Sequence, residues 1–321
     1  MTAPTVAPPQ QESNDRRQSA GIRGGVLSRV RQLLAFASLV AIFVFFSVAS
    51  PNFLNYSNVT SMLFSTVVIG TLALGATFVI VTGGIDLSVG TGMALCAVMG
   101  GVMIVNTGLP VWLGVLGTLL FGGLIGLVNG LNVTVLKLPP FIATLAMMLV
   151  AQGLALVISG SAPIYFSADS GYAAISTGSI IPGADFPNAV VIFAVAAVLG
   201  GVVLNKTLLG RYTYSIGSNE EATALSGIDV RKWKILIYVL SGLFIGLAGV
   251  LISARLGSAQ PATGMGYELQ AIAAVVIGAL IISVLNNGLQ ITSVPQEWQN
   301  VILGCVIVAA VYADKARRTT A

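Results

Sequence analysis

Histidine is absent from the 321 residues, which removes the commonest general base and metal ligand. Charge is almost as scarce. Fifteen Lys and Arg and eleven Asp and Glu make up 8% of the chain, where a soluble domain carries about 25%. So few charged side chains cannot cover a chain of this length in water, which excludes a soluble enzyme, a disordered chain and a nucleic-acid binder. Only two cysteines occur, Cys96 and Cys305; both sit in apolar runs and read as small hydrophobes, not as a disulfide or metal site. There is no Gly-rich phosphate loop ending in Gly-Lys-Ser/Thr, no His-Glu-x-x-His and no Gly-x-Ser-x-Gly. With no paired acids either, the residues predict no catalytic site, no metal site and no cofactor.

What is present is hydrocarbon. Apolar residues make up 56% of the chain, and its mean hydropathy is +0.94. A transmembrane helix needs about 20 mostly apolar residues. Nine segments qualify: Leu33–Ala49, Thr60–Thr82, Ser88–Val105, Pro110–Val135, Pro140–Ser159, Asn188–Leu204, Ile235–Ala254, Ala271–Ile291 and Trp298–Ala313. The pattern predicts an all-α, polytopic helical bundle over residues 33–313. A Pro-, Gln- and Ser-rich cytoplasmic tail precedes it over 1–32, and a basic tail follows over 314–321. Glycines inside the apolar runs, such as Gly122, Gly123 and Gly126 or Gly242, Gly246 and Gly249, read as faces where helices pack closely in lipid.

Lys and Arg near span ends mark the cytoplasmic side. Arg16, Arg17, Arg23, Arg29 and Arg31 place the amino terminus there. The loop 205–234, with Lys206, Arg211, Arg231, Lys232 and Lys234, and the turn holding Lys137 fall on the same side. Ser161–Pro187, with Asp169, Asp185 and no basic residue, falls outside. The count fails only at the end. Nine crossings put the carboxyl terminus outside, yet it carries Lys315, Arg317 and Arg318.

Three polar places interrupt the apolar runs. Thr82–Gly90 holds Gly83, Gly84, Asp86 and Ser88. It reads either as a tight turn whose Asp caps the next helix or as a helix break facing a water-filled path. In the basic loop, Asn219, Glu220, Glu221, Ala222, Leu225, Ser226, Gly227 and Ile228 have the charge polarity of a short helix, with acids first and Gly last. Ala222, Leu225 and Ile228 would form its apolar face. The bland reading is a helix at the lipid headgroups, and the functional one a docking helix for a soluble partner. Arg255–Glu268 holds Gly257, Pro261, Gly264 and Gly266 and reads as an ordinary turn with Arg255 and Glu268 an exposed pair worth little, or as an outer gate or landing site for a periplasmic partner. Asn129, Asn286, Asn287 and Gln290 bring amides into the apolar runs, where such residues join helices or line a polar path.

At these places the chain resembles the ribose-type sugar permeases of bacterial ABC importers, the branch that includes ribose, xylose, galactoside, inositol and autoinducer-2 systems. The resemblance rests on Gly75–Gly90, Asn129-Gly130, Leu138–Leu145, Ile216–Ile228, Tyr238 with Ser241-Gly242, and Gly266–Gly278. It implies an inner-membrane subunit of about ten spans. The implied partners are a second permease subunit, ATP-binding subunits on the cytoplasmic side, a periplasmic sugar-binding protein and membrane lipid. On this likeness Asn219–Ile228 is the ATPase coupling element, Thr82–Gly90 lies by the pathway, and Gly264, Gly266 and Glu268 lie near the outer gate. The competing expectation is a secondary transporter or channel that couples ions or protons through Asp86.

The chain departs from that family after Gly278. Relatives continue with a Gly/Ser-rich turn and a further apolar stretch, whereas here Gly278 runs straight into Ala279. By resemblance about fifteen residues are missing, most of one span. A re-entrant Ala271–Ile291, a Trp298–Ala313 that does not cross, or an altered permease that assembles poorly would each account for the failed count.

Overall fold

The computed structural model describes residues 36–180 and 186–319. The expected tail over 1–32, its arginines and Asp185 lie outside the described residues. The chain folds into helices α1 (Phe36–Ala49), α2 (Tyr56–Val81), α3 (Val89–Gly101, continued by a π-turn to Asn106), α4 (Val111–Thr134), α5 (Pro140–Ser159), α6 (Ala174–Thr177), α7 (Asn188–Lys206), α8 (Leu208–Ser218), α9 (Glu220–Leu225), α10 (Val230–Leu256), α11 (Tyr267–Ile277), α12 (Ala279–Ile291) and α13 (Gln296–Thr319). Two short strands, β1 (Ile164–Tyr165) and β2 (Ser258–Ala259), complete it. Among the described residues, six helices are long and apolar enough to cross a membrane: α2, α3 with its π-turn, α4, α5, α7 and α10.

Local chemistry sets the helix ends. α5 starts on Pro140, whose missing N–H is harmless in a first turn, and ends on Gly160 in the left-handed region. Asp229 caps α10 by accepting from the Lys232 amide at 3.1 Å, and Gly257 closes it at φ 61°. In lipid the hydrophobic effect does not drive one apolar helix onto another, so close backbone approach must do that work. It does so between α4 and α10. A Cβ on Gly122 would collide with the Gly242 carbonyl, and one on Gly126 with the Tyr238 carbonyl. Gly249 brings α10 equally close to α3, where a Cβ would lie 2.8 Å from the Met93 carbonyl. α2 and α10 form the inner layer. The best apolar stretch of α2 is 72% buried, that of α7 only 17%, so α7 turns Val195, Val198 and Leu199 outward.

The two ends of the bundle are distinct. β1 pairs antiparallel with β2, Ile164 opposite Ala259, and Tyr172 in the loop that carries β1 bonds Ser253 of α10 at 2.8 Å. At the other end Lys137, Glu220, Arg231 and Lys234 surround one cleft. α5 and α10 therefore both run from the basic end to the strand end, in keeping with the charge-based assignment of the two loops to opposite sides.

The expected span Ala271–Ile291 is not one helix. It breaks at Gly278, whose φ of 109° and ψ of 135° suit glycine alone. The chain reverses there. Gln270 and Asn286 are equally far in sequence from Gly278, yet their side chains meet at 3.4 Å, where a straight helix would hold them about 24 Å apart. Neither arm is long enough to cross. Residues 259–264 first descend along α3: a Cβ on Gly101 would touch Ala259, whereas one on Gly90 would meet Gly264, about 16 Å further along the axis. α12 then climbs α2 from Gly70, which faces Ala279, to Asn58, which exchanges two 2.9 Å bonds with Asn287. The element enters and leaves on one side. The other expected terminal span is helical throughout as part of α13, long enough to cross at about 36 Å.

Replacing Gly278 with Ala is expected to lower stability by about 1–3 kcal/mol through backbone strain. Gly153→Ala, on a helix with open space around the glycine, should stay within about 1 kcal/mol of the parent. Thermal unfolding of the two variants in detergent reads the difference.

Candidate functional site

The break between α2 and α3 is built from short-range bonds. Gly83 turns the chain at φ 81°. Thr144 of α5 then holds the irregular stretch, accepting from the Leu87 amide and donating to the Ile85 carbonyl, both at 3.1 Å. Gly84 lies so close to Tyr238 that a Cβ would be 3.0 Å from its hydroxyl. Asp86 Oδ1 accepts from the Ser88 amide at 2.9 Å and from Ser88 Oγ at 2.6 Å. Ser88 Oγ in turn accepts from Asn129 Nδ2 at 2.8 Å. Asp86, Ser88 and Asn129 are all buried. The carboxylate thus bonds the residue at the helix cap and ties α3 to α4. Asp86 Oδ2, Asn129 Oδ1, Tyr238 Oη and Ser241 Oγ are buried with no partner, so the network retains acceptor capacity.

The same break leans on two other elements. A Cβ on Gly217, at the end of α8, would collide with the Val81 carbonyl, the last of α2. A Cβ on Gly90 would collide with the Gly264 carbonyl and come within 2.7 Å of Glu268. Glu268 itself accepts from the Gly266 amide at 3.1 Å, closing the turn before α11. Arg255 does not pair with it. Its guanidinium sits 4.8 Å over the Phe64 ring on α2, a cation–π contact that suits a half-buried cation. Sequence reasoning missed this contact, because an aromatic ring nearly two hundred residues earlier in the chain leaves no local signal.

Asn286, Asn287 and Gln290 of α12 come together in a polar cavity of about 400 Å³ in the opening of the α11–α12 bend. Ser61 and Ser65 of α2, Gln270 of α11, and Gln296, Gln299 and Asn300 of α13 share its wall. Gly83, Gly84, Asp86, Ser88 and Asn129 do not line it. Sequence reasoning did not single out the α13 amides, although positions 296, 299 and 300 share one helical face and could have shown it. Gln270 became legible only with the reversal at Gly278. This lining offers donors and acceptors around one cation, Arg255, and no acid. Such a surface can exchange hydrogen bonds with a neutral, hydroxyl-rich solute without paying for a buried charge.

In the basic loop, Asn219 caps α9 by accepting from the Ala222 amide at 2.9 Å. The helix is shorter than the pattern suggested. It ends at Leu225, and Gly227 turns the chain at φ 82°. Its expected apolar face has no cover: Ala222 is exposed, Leu225 is 84% exposed and Ile228 is half-buried. Glu220 bonds Lys234 of α10 at 2.6 Å, and Tyr212 of α8 packs on Trp233 with ring centroids 4.7 Å apart. These contacts fix the loop to the bundle and leave Leu225 outward.

A family profile described as a branched-chain amino acid transport system permease component matches residues 58–311. The ribose import permease protein of Bacillus subtilis is 40% identical over 306 residues, covering 90% of this chain and 94% of that protein. The ribose import permease protein of Escherichia coli K12 is 38% identical over 309 residues, covering 91% and 95%. The D-allose transport system permease protein of the same strain is 34% identical over 298 residues, covering 87% and 90%. No solved structure matches. The 306 aligned positions of the Bacillus comparison take up 90% of 321 residues, about 289, so about 17 positions have no counterpart here. That shortfall has the size expected after Gly278.

Replacing Asn129 with Leu would leave the buried Ser88–Asp86 pair without its third member. The expected cost is about 1–3 kcal/mol, read as a lower unfolding midpoint, with Asn129→Ser recovering part of it.

Proposed function

The chain belongs to the family described as branched-chain amino acid transport system permease components, and on that premise we propose that it forms the translocation path of an ABC importer for a sugar or sugar-like solute. The carrying observation is the amide- and hydroxyl-lined cavity in the α11–α12 bend. The family description names amino acids, but the full-length relatives carry ribose and allose names. The cavity agrees with the latter, since a zwitterion would call for an acid beside Arg255 and none lines the wall.

The chain has no ATP-binding motif, so separate ATP-binding subunits energise it, a periplasmic binding protein delivers the solute, and a second permease subunit completes the path. Asn219–Ile228 is the docking element for the ATPase, with Leu225 as its exposed anchor. The mechanical route is short. α9 follows directly on α8, α8 abuts the end of α2 at Gly217, and α2 carries Ser61 and Ser65 to the cavity wall. A rigid shift of α8 and α9 on nucleotide binding would reach the cavity through α2. Gly264, Gly266 and Glu268, braced on Gly90 about 16 Å in from the strand end, would shape the path inside the outer mouth.

With the α11–α12 bend counted as a re-entrant element, the six long apolar helices and the two end segments expected from the sequence, Leu33–Ala49 and Trp298–Ala313, make eight crossings. Both termini then lie in the cytoplasm with the basic loops. Coupling through Asp86 in a secondary transporter lacks comparable support, because Asp86 is bonded inward to Ser88 and lines neither the polar cavity nor the basic cleft.

Leu225→Asp is expected to cut ATP-driven uptake about thirtyfold or more, as loss of an interface anchor does, without lowering the unfolding midpoint. Asn286→Leu should weaken uptake about tenfold with ATPase co-purification intact. Uptake by reconstituted vesicles that persists without the ATPase subunits would refute the reading.

A further inference from the structure

We propose that the basic cleft at the loop end of the bundle binds the phosphate of an anionic phospholipid headgroup. The cleft measures about 460 Å³, and Lys137, Arg231 and Lys234 line it together with a single acid, Glu220. Lys234 is already engaged by Glu220 at 2.6 Å. Lys137 and Arg231 have no anionic partner among the described residues. The wall therefore carries two uncompensated positive charges.

Local structure concentrates that charge. Lys137 stands in the α4–α5 turn at φ 54°, a conformation unusual for a side-chain-bearing residue, which fixes the direction in which the turn presents it. The first residues of α5 and α10, Pro140 and Val230, both line the cleft. The positive ends of two span-length helices thus face one volume. Arg231 supplies the planar fork that suits a phosphate, and the lysines supply point charges.

Depth and apolar lining select a lipid over an ion from water. α5 and α10 begin here as apolar spans, so the cleft lies at the headgroup level of the bilayer. Leu138 and Pro139 are exposed and form part of the wall beside the cations. A phospholipid presents this same order of groups, a charged phosphate followed by the start of two acyl chains. Basic pockets between spans on the cytoplasmic side hold such headgroups. Occupancy also touches the docking element. Glu220 is the first residue of α9, and a phosphate drawn to Lys234 competes with the bond that ties α9 to α10. The leaflet rests on the orientation proposed above, whereas binding itself requires only that the chain sits in a membrane.

Native mass spectrometry of the full chain in detergent, with phosphatidylglycerol, cardiolipin and phosphatidylcholine added in turn, tests the proposal. The parent is expected to retain the two anionic lipids over phosphatidylcholine. Lys137→Gln with Arg231→Gln should lose that preference by about thirtyfold, each basic residue near the surface contributing about a factor of five. Lys206→Gln with Arg211→Gln, exposed and outside the cleft, should keep it, and Lys137→Arg with Arg231→Lys should restore most of it. Equal retention by the Gln pair and the parent, or equal loss in the control pair, would overturn the proposal. Inorganic phosphate binding that the Gln pair abolishes, with no preference among lipids, would make the cleft a free-anion site and also overturn it. So would loss of ATPase co-purification in the Gln pair with lipid retention unchanged, which would give the cleft to an acidic side chain of the partner. Uptake that needs no ATPase would remove the transport reading and leave a positive lipid result standing.

Discussion

The fold depends on contact between bare backbones. An apolar helix in lipid gains little by leaving lipid for another apolar helix, so what joins spans is dispersion at short range and the few polar bonds that reach across. α10 is placed by this constraint. Gly242 and Gly246 bring it against α4 and Gly249 against α3, and everything α10 carries is positioned by that contact. Tyr238 reaches the α2–α3 break, Arg255 covers Phe64, and Lys234 holds α9 through Glu220. The same requirement recurs where the break meets its neighbours, at Gly90 against Gly264 and Gly217 against Val81. Elements that are separate in sequence share one rigid frame because glycine lets their chains touch.

Much of this was legible in the residues. Apolar length gave the six long apolar helices to within five residues at either end, and the sparse Lys and Arg sorted the loops to two ends. Glycines at helical spacing marked the α4–α10 contact. Asn286, Asn287 and Gln290 were picked out by chemistry, and the structure brings them to one cavity. The short helix α9 was recognisable from its acids and the glycine that follows, although it ends at Leu225, earlier than the apolar spacing implied.

Other features could not be read locally. Ala271–Ile291 has the length and composition of a span, and nothing in its hydropathy reveals a reversal. The deciding property is the backbone conformation at Gly278, which only the packing of α11 and α12 on α2 imposes. Asp86 could be read either as a turn residue serving the start of α3 or as a group aimed at water, and its bonds follow the first reading. Its partners are Ser88, two residues on, and through Ser88 the amide of Asn129 on another helix. Arg255 was grouped with the nearest acid in sequence, Glu268, while its actual neighbour is a ring on α2. In each case the missing information was a contact between distant segments.

The Asn58–Asn287 pair joins positions 229 residues apart, which bears on the order of assembly. Neither α11 nor α12 is long enough to hold itself across a bilayer as it leaves the ribosome, and the polar groups between them are costly to leave facing lipid tails. The bend therefore has no stable resting place until α2, made much earlier, stands ready with Asn58, Ser61 and Ser65. Biogenesis of this chain would then be sequential: the frame of long helices inserts first, and the cavity wall is fitted onto it as the final step.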